Sequence, residues 1–128
     1  VTDDVRDVSL SEQFSPDSIG YINARLMEIE QEFQSAPDEL DVARNEVLVA
    51  KHALRSAVAQ ATIKATGRSA DIRAAEVDVA TFAERERVDV AEAAFAYLRD
   101  VVHELGREKD ALQTRSANLR AEMQLGAR

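Results

Sequence analysis

Residues 69–125 read SADIRAAEVDVATFAERERVDVAEAAFAYLRDVVHELGREKDALQTRSANLRAEMQL. This stretch has no proline and a single glycine, Gly106. Apolar residues mark one face at Ile72, Ala75, Val79 and Phe82. The stripe is poor from Glu86 to Asp89. It resumes at Phe95, Leu98, Val102 and Leu105 and continues through Leu112, Leu119 and Met123. Alternating steps of three and four are the period of a packing helix. The spacing predicts one helix over 70–125, about 80 Å long if fully helical at ~1.5 Å per residue. A small globular core cannot cover such a rod. Its stripe needs partner helices, from this chain or from copies of it.

The chain has 128 residues, enough for one domain. Aromatic residues make up 5%, and Gly and Pro together number six, which favours an all-α fold with a narrow, alanine-rich core. Cysteine is absent, so disulfides and cysteine metal sites are excluded. No apolar run reaches membrane-spanning length, and no signal-peptide pattern opens the chain. The expectation is a soluble cytoplasmic protein that uses no membrane.

Residues 1–14 read as a flexible N-terminal arm. Ser15-Pro16-Asp17 supplies a cap, a first-turn proline and a first-turn acid. A short first helix is expected over 16–34, with Ile19, Ile22, Leu26, Ile29 and Phe33 on one face and Glu28, Glu30 and Glu32 toward solvent. Ser35-Ala36-Pro37-Asp38 ends it and starts a second helix over 37–65. That helix carries the stripe Leu40, Ala43, Val47, Ala50, Leu54, Ala57 and Ala61. Gly67, in Thr66-Gly67-Arg68-Ser69, suits a positive φ at a helix end, and Ser69 caps the third helix. The short join implies antiparallel neighbours. Gly106 leaves continuity or a bend equally open. The architecture expected is a single helical domain over 15–125. It is a long antiparallel helical hairpin with a short N-terminal helix, elongated and oligomeric, ending in a tail at 126–128. The third helix outruns its partners, so Phe95, Leu98, Val102, Leu105, Leu112 and Leu119 are the expected oligomer interface.

Catalytic chemistry finds no foothold. There is no phosphate loop, no dinucleotide glycine motif and no nucleophile elbow. His52 and His103 are too few for a three-histidine site. Glu28/Glu32 and Glu104/Glu108 lack the Glu-x-x-His partners of a di-iron bundle; Asp100 with His103 is the nearest approach. No enzyme activity, cofactor or metal is expected.

Charge is distributed unevenly around a net −8. Residues 1–50 hold twelve acids and three bases; residues 51–73 hold five bases and one acid, Asp71. The basic middle comprises Lys51, Arg55, Lys64, Arg68 and Arg73. Lys64, Arg68 and Arg73 surround a helix start, where phosphate binds well. Arg107, Lys109, Arg115 and Arg120 form a second basic group with intervening acids. Tyr97 suits a packed interface or, less readily, base stacking.

Several segments together resemble small all-helical accessory proteins of tailed phages and prophages, including recombination mediators. They are the spaced lysines from Lys51 to Lys64, the Thr66-Gly67-Arg68 turn, the segment from Val90 to Leu98 and the segment from Leu112 to Arg120. The resemblance covers about residues 46–123. It implies a ring-like oligomer that binds single-stranded DNA, displaces single-strand-binding protein and helps load a recombinase. It also implies DNA-binding roles for Arg68 and the Arg115/Arg120 region. The acidic balance and the extra N-terminal helix depart from that pattern.

The first reading is therefore a non-enzymatic recombination accessory in the host cytoplasm, contacting phosphates through Lys51, Arg55, Lys64, Arg68, Arg73, Arg115 and Arg120. The alternatives are a phage assembly or coiled-coil interaction module without DNA binding, and an acidic inhibitor of a DNA-binding protein.

Overall fold

The structure, a computed structural model, describes residues 8–126. The outer part of the expected arm, 1–7, and the tail residues 127–128 lie outside the described residues. The fold is all-α. A 3-10 turn at Leu10–Gln13 precedes α1 (Ile19–Lys64), α2 (Ala70–Ala80) and α3 (Phe82–Gly126).

Three of the expected boundaries are corrected. The helices expected at 16–34 and 37–65 are one helix of 46 residues, with Pro37 inside it. Pro37 lacks the N–H that would reach the Phe33 carbonyl, but it sits on the exposed side. The inward face passes it without a change of phase, through Phe33, Ala36, Leu40 and Ala43. The start of α1 also differs. Its first turn is capped by Ser18, whose Oγ accepts from the Tyr21 N–H at 3.1 Å, rather than by Ser15.

The helix expected over 70–125 is interrupted at Thr81. The Thr81 N–H and hydroxyl both donate to the Val77 carbonyl, at 3.0 and 2.8 Å. The Asp78 carbonyl accepts from the Arg85 guanidinium. A threonine bonding back four residues competes with the helical ladder and bends it. Gly106, by contrast, lies within continuous helix; a Cβ there would meet only Phe33 Cζ, at 4.0 Å.

The inward face also differs from the expected one, and it runs through Thr81 without a change of phase. Ile72, Ala75, Val79 and Phe82, the expected start of the packing stripe, are exposed, Val79 by 79%. The inward positions are instead Val77, Thr81, Glu84, Val88 and Ala91. They continue in steps of four and three through Phe95, Leu98, Val102, Leu105, Lys109, Leu112, Ser116 and Leu119, all buried or half-buried. Along α1 the matching series is Ile22, Leu26, Ile29, Phe33, Ala36, Leu40, Ala43, Val47, Ala50, Leu54, Ala57 and Ala61. With α1 and α3 of nearly equal length, 46 and 45 residues, the length mismatch that motivated the oligomer expectation is removed.

The described residues divide into two compact units: those up to Ala36 with those from Val101 onward, and Pro37–Asp100. The first holds the apolar cluster of Ile22, Ile29 and Leu112, with Tyr21, Leu26, Phe33, Leu105 and Leu119 against it. Beside this cluster Arg25 grips Glu108 with two bonds, Nε to Oε1 at 2.7 Å and Nη2 to Oε2 at 3.0 Å. Its Nη1 donates to Glu28 Oε2 at 3.1 Å.

Glu28 in turn accepts from the Ser11 N–H and hydroxyl, both at 2.9 Å. The 3-10 turn is thereby fastened to α1, and Ser11 is buried. The expected flexible arm is thus an ordered turn over Leu10–Gln13, and Glu28 is bonded rather than free in solvent. The Ser11 N–H, helped by its hydroxyl and by Arg25, holds the Glu28 carboxyl below its usual value against an opposing burial effect. Arg25 is shifted upward, mainly by its hydrogen bonds to Glu108.

In the second unit Ala50, Thr81 and Val88 are the buried residues. Two guanidiniums lie over the Phe95 ring, Arg44 at 5.7 Å and Arg99 at 5.2 Å from its centroid. Lys51 Nζ pairs with Glu92 at 3.3 Å. One carboxylate oxygen of the inward-facing Glu84, Oε2, is buried without a hydrogen-bond partner. It weakens this part of the seam rather than supporting it.

Candidate functional site

The link between α1 and α2, residues 65–69, gathers the basic residues the sequence singles out. Lys64 ends α1, Arg68 lies in the link, and Arg73 stands in the first turns of α2; all three are exposed. Ser69 caps α2, its Oγ accepting from the Ile72 N–H at 3.2 Å. Arg73 folds back and donates to the Gly67 carbonyl at 2.9 Å. Glu76 accepts from the Thr66 N–H at 3.0 Å. The link is therefore held from both sides by side chains of α2.

Gly67 has a negative φ, contrary to the expectation from its place after a helix. Glycine leaves space here: a Cβ would clash with the Ile72 side chain and come within 2.9 Å of the Glu76 carboxylate. The Ile72 side chain lies against the Gly67 backbone, and a larger residue would dislodge it.

The other expected cations are dispersed. Arg55 is exposed, and Lys51 is paired with Glu92. At ~1.5 Å per residue Lys51 lies about 20 Å along α1 from Lys64, so the basic middle is a line rather than a cluster. In the first unit Arg115 donates to the Pro16 carbonyl at 3.1 Å and approaches Asp17 at 3.5 Å, while Arg120 is exposed. Lys64, Arg68, Arg55 and Arg120 take part in none of the ion pairs among the described residues.

Comparison with protein families, with curated proteins and with solved structures finds no match. Function has to be read from this chain's own surfaces.

Of the residues expected at an oligomer interface, Leu105, Leu112 and Leu119 pack within the chain. Leu112 is in the apolar cluster of the first unit, with Leu105 and Leu119 against it. Phe95, Leu98 and Val102 are half-buried on the same inward face. The surfaces left uncovered include the start of the stripe that the sequence itself marks out. This is Ile72, Ala75, Val79 and Phe82. A second lies on the flanks of α1 and α3, where Val42 and Val49 on one helix and Val90 and Tyr97 on the other are exposed.

His52 and His103 are exposed. Among the described residues no group of three or more His, Asp or Glu is placed to hold a metal ion. Likewise, among these residues no helix is long and apolar enough to cross a membrane.

Proposed function

We propose that this chain is a non-enzymatic helical interaction module that assembles with copies of itself, with α1 and α3 as an antiparallel hairpin. Contacts within each unit support the antiparallel reading. Asp17 meets Arg115 and Arg25 meets Glu108 in one; Arg44 meets Phe95 and Lys51 meets Glu92 in the other. The observation that carries the interaction reading is the balance of apolar surface in Pro37–Asp100. Ten large apolar side chains are exposed there, against a buried set of Ala50, Thr81 and Val88. Scattered apolar residues are ordinary on any surface. Here three sets of them fall at helical spacing, Val42 with Val49, Ile72 with Val79 and Phe82, and Val90 with Tyr97, which suits helical partners. Sedimentation equilibrium across a concentration series is expected to give a mass that is a multiple of the chain mass. A single-chain mass at every concentration overturns the reading.

A second reading is favoured by Lys64 and Arg68, exposed and outside every described ion pair at the α1–α2 link. It is the phage-type accessory of DNA recombination in the host cytoplasm, holding single-stranded DNA by its phosphates and assisting recombinase loading. Oligomerisation would multiply weak contacts into useful binding. Binding of a fluorescent single-stranded oligonucleotide is then expected to weaken steeply with salt and to vary little with sequence. Arg68→Glu should reduce it at least tenfold. Undetectable binding at low salt, or equal binding by the variant, counts against this reading.

A further inference from the structure

The flank shared by α1 and α3 in the second unit is a shallow groove of about 250 Å³, lined by Ala43 and Glu46 on one side and Arg87, Val90, Ala91 and Ala94 on the other. Its floor is alanine, so the backbones of both helices can be approached closely. Its rims are apolar. On α1, Val42 and Val49 stand one turn either side of Glu46. On α3, the steps Arg87, Val90, Ala94 and Tyr97 keep one face. Val42 is 66% exposed, Val90 63% and Tyr97 69%. Each wall also carries one charge, Glu46 on α1 and Arg87 on α3. Both are exposed, and neither takes part in any ion pair among the described residues.

We infer that this groove is the face on which a second copy of the chain docks, with Glu46 of each copy against Arg87 of the other. The inference rests on the self-association reading and names its surface. Complementary charge identifies the occupant. A two-fold axis lying in the interface, across the line from Glu46 to Arg87, exchanges the two positions. Each free carboxylate then meets a free guanidinium, twice per dimer. A two-fold interface must complement itself, and a groove with one free charge of each sign on opposite walls does so. An acidic or a basic partner would satisfy one wall and oppose the other. The valines and Tyr97 supply the apolar contact around the pairs, where an aromatic anchor contributes most.

Charge reversal tests the pairing in full-length protein. Glu46→Arg alone sets two guanidiniums together twice per dimer, and Arg87→Glu does the same with carboxylates. Each is expected to raise the dimer dissociation constant at least tenfold in sedimentation velocity. The double variant E46R/R87E should return to within about threefold of wild type, since the pairs re-form with reversed sign. An equimolar mixture of the two single variants should also dimerise, because each supplies what the other lacks. That last outcome separates a contact between copies from an attraction within one chain. Unchanged helical circular dichroism establishes that the exposed substitutions leave the fold intact. An oligomer that ignores both reversals, or single variants that fail to rescue each other, overturns this face while self-association stands. A wild type that is monomeric throughout overturns both.

Discussion

Ile29→Ala is expected to lower the unfolding free energy by about 2–5 kcal/mol, the range for removing the outer carbons of a fully buried aliphatic side chain. Ile29 is 0% exposed and shares its cluster with Ile22 and Leu112. The loss has two parts: the apolar surface no longer transferred from water, and the cavity left behind. The second part is large only where neighbours cannot move in. Here the surrounding side chains come from two helices already tied by the Arg25–Glu108 fork, so the gap stays open. The cluster is also small, leaving few other buried contacts to absorb the change. Val79→Ala is the matched control, since Val79 is 79% exposed. It should change stability by less than about 0.5 kcal/mol. Urea denaturation followed by circular dichroism gives both values. Equal effects at the two positions would show that α1 and α3 do not pack through Ile29.

How far the sequence reveals this packing depends on phase. Counting back from Leu98 and Phe95 in steps of four and three lands on Ala91, Val88, Glu84, Thr81 and Val77. These are the inward positions. Two of them are polar, and Thr81 is nearly fully buried at 1% exposure. A search for apolar residues therefore leaves the true line at Val88 and follows Ile72, Ala75, Val79 and Phe82, which lead to the poor patch at Glu86–Asp89. That patch was the sign of lost phase. Pro37 misleads in the opposite way. It suits a helix start so well that it suggests a break, yet the series Phe33, Ala36, Leu40 crosses it without a slip. Unbroken phase outweighs one missing hydrogen bond.

The inward residues Leu105, Leu112 and Leu119 are legible as a stripe, but a stripe does not say which helix covers it. The polar ties are less accessible still. Ser11 and Glu28 are 17 residues apart, and Arg25 and Glu108 are 83 apart. Neither spacing has a local signature. The basic link is legible as composition, whereas the bonds of Arg73 to the Gly67 carbonyl and of Glu76 to the Thr66 amide follow only from the path of the chain.

Arg25→Met should cost about 2–3 kcal/mol near neutral pH and much less in acid below the ordinary carboxylate value. The guanidinium makes charge-assisted bonds to Glu108 and Glu28 and lies 3.9 Å from Glu32. Hydrogen bonds to charged groups contribute roughly 1.5–3 kcal/mol each, and solvent screening reduces the sum here. The side chains are 21% exposed for Arg25 and 37% for Glu108. Methionine keeps much of the aliphatic packing, so the loss reports the charge.

The pH dependence follows from what remains. Without the guanidinium, three carboxylates face one another, and their repulsion grows as they ionise. In the wild type the depressed Glu28 carboxyl contributes stability above the ordinary carboxylate value, and that contribution fades as pH falls through its folded value. Acid therefore weakens the wild type while it relieves the variant, and the two should converge between pH about 7 and pH about 3, which lies below the ordinary carboxylate value. Glu108→Gln keeps the shape and removes one charge, so its deficit should be smaller. Urea midpoints at the two pH values test this directly. A deficit of the same size at both, or none near neutrality, would mean that Arg25 holds the first unit by packing alone.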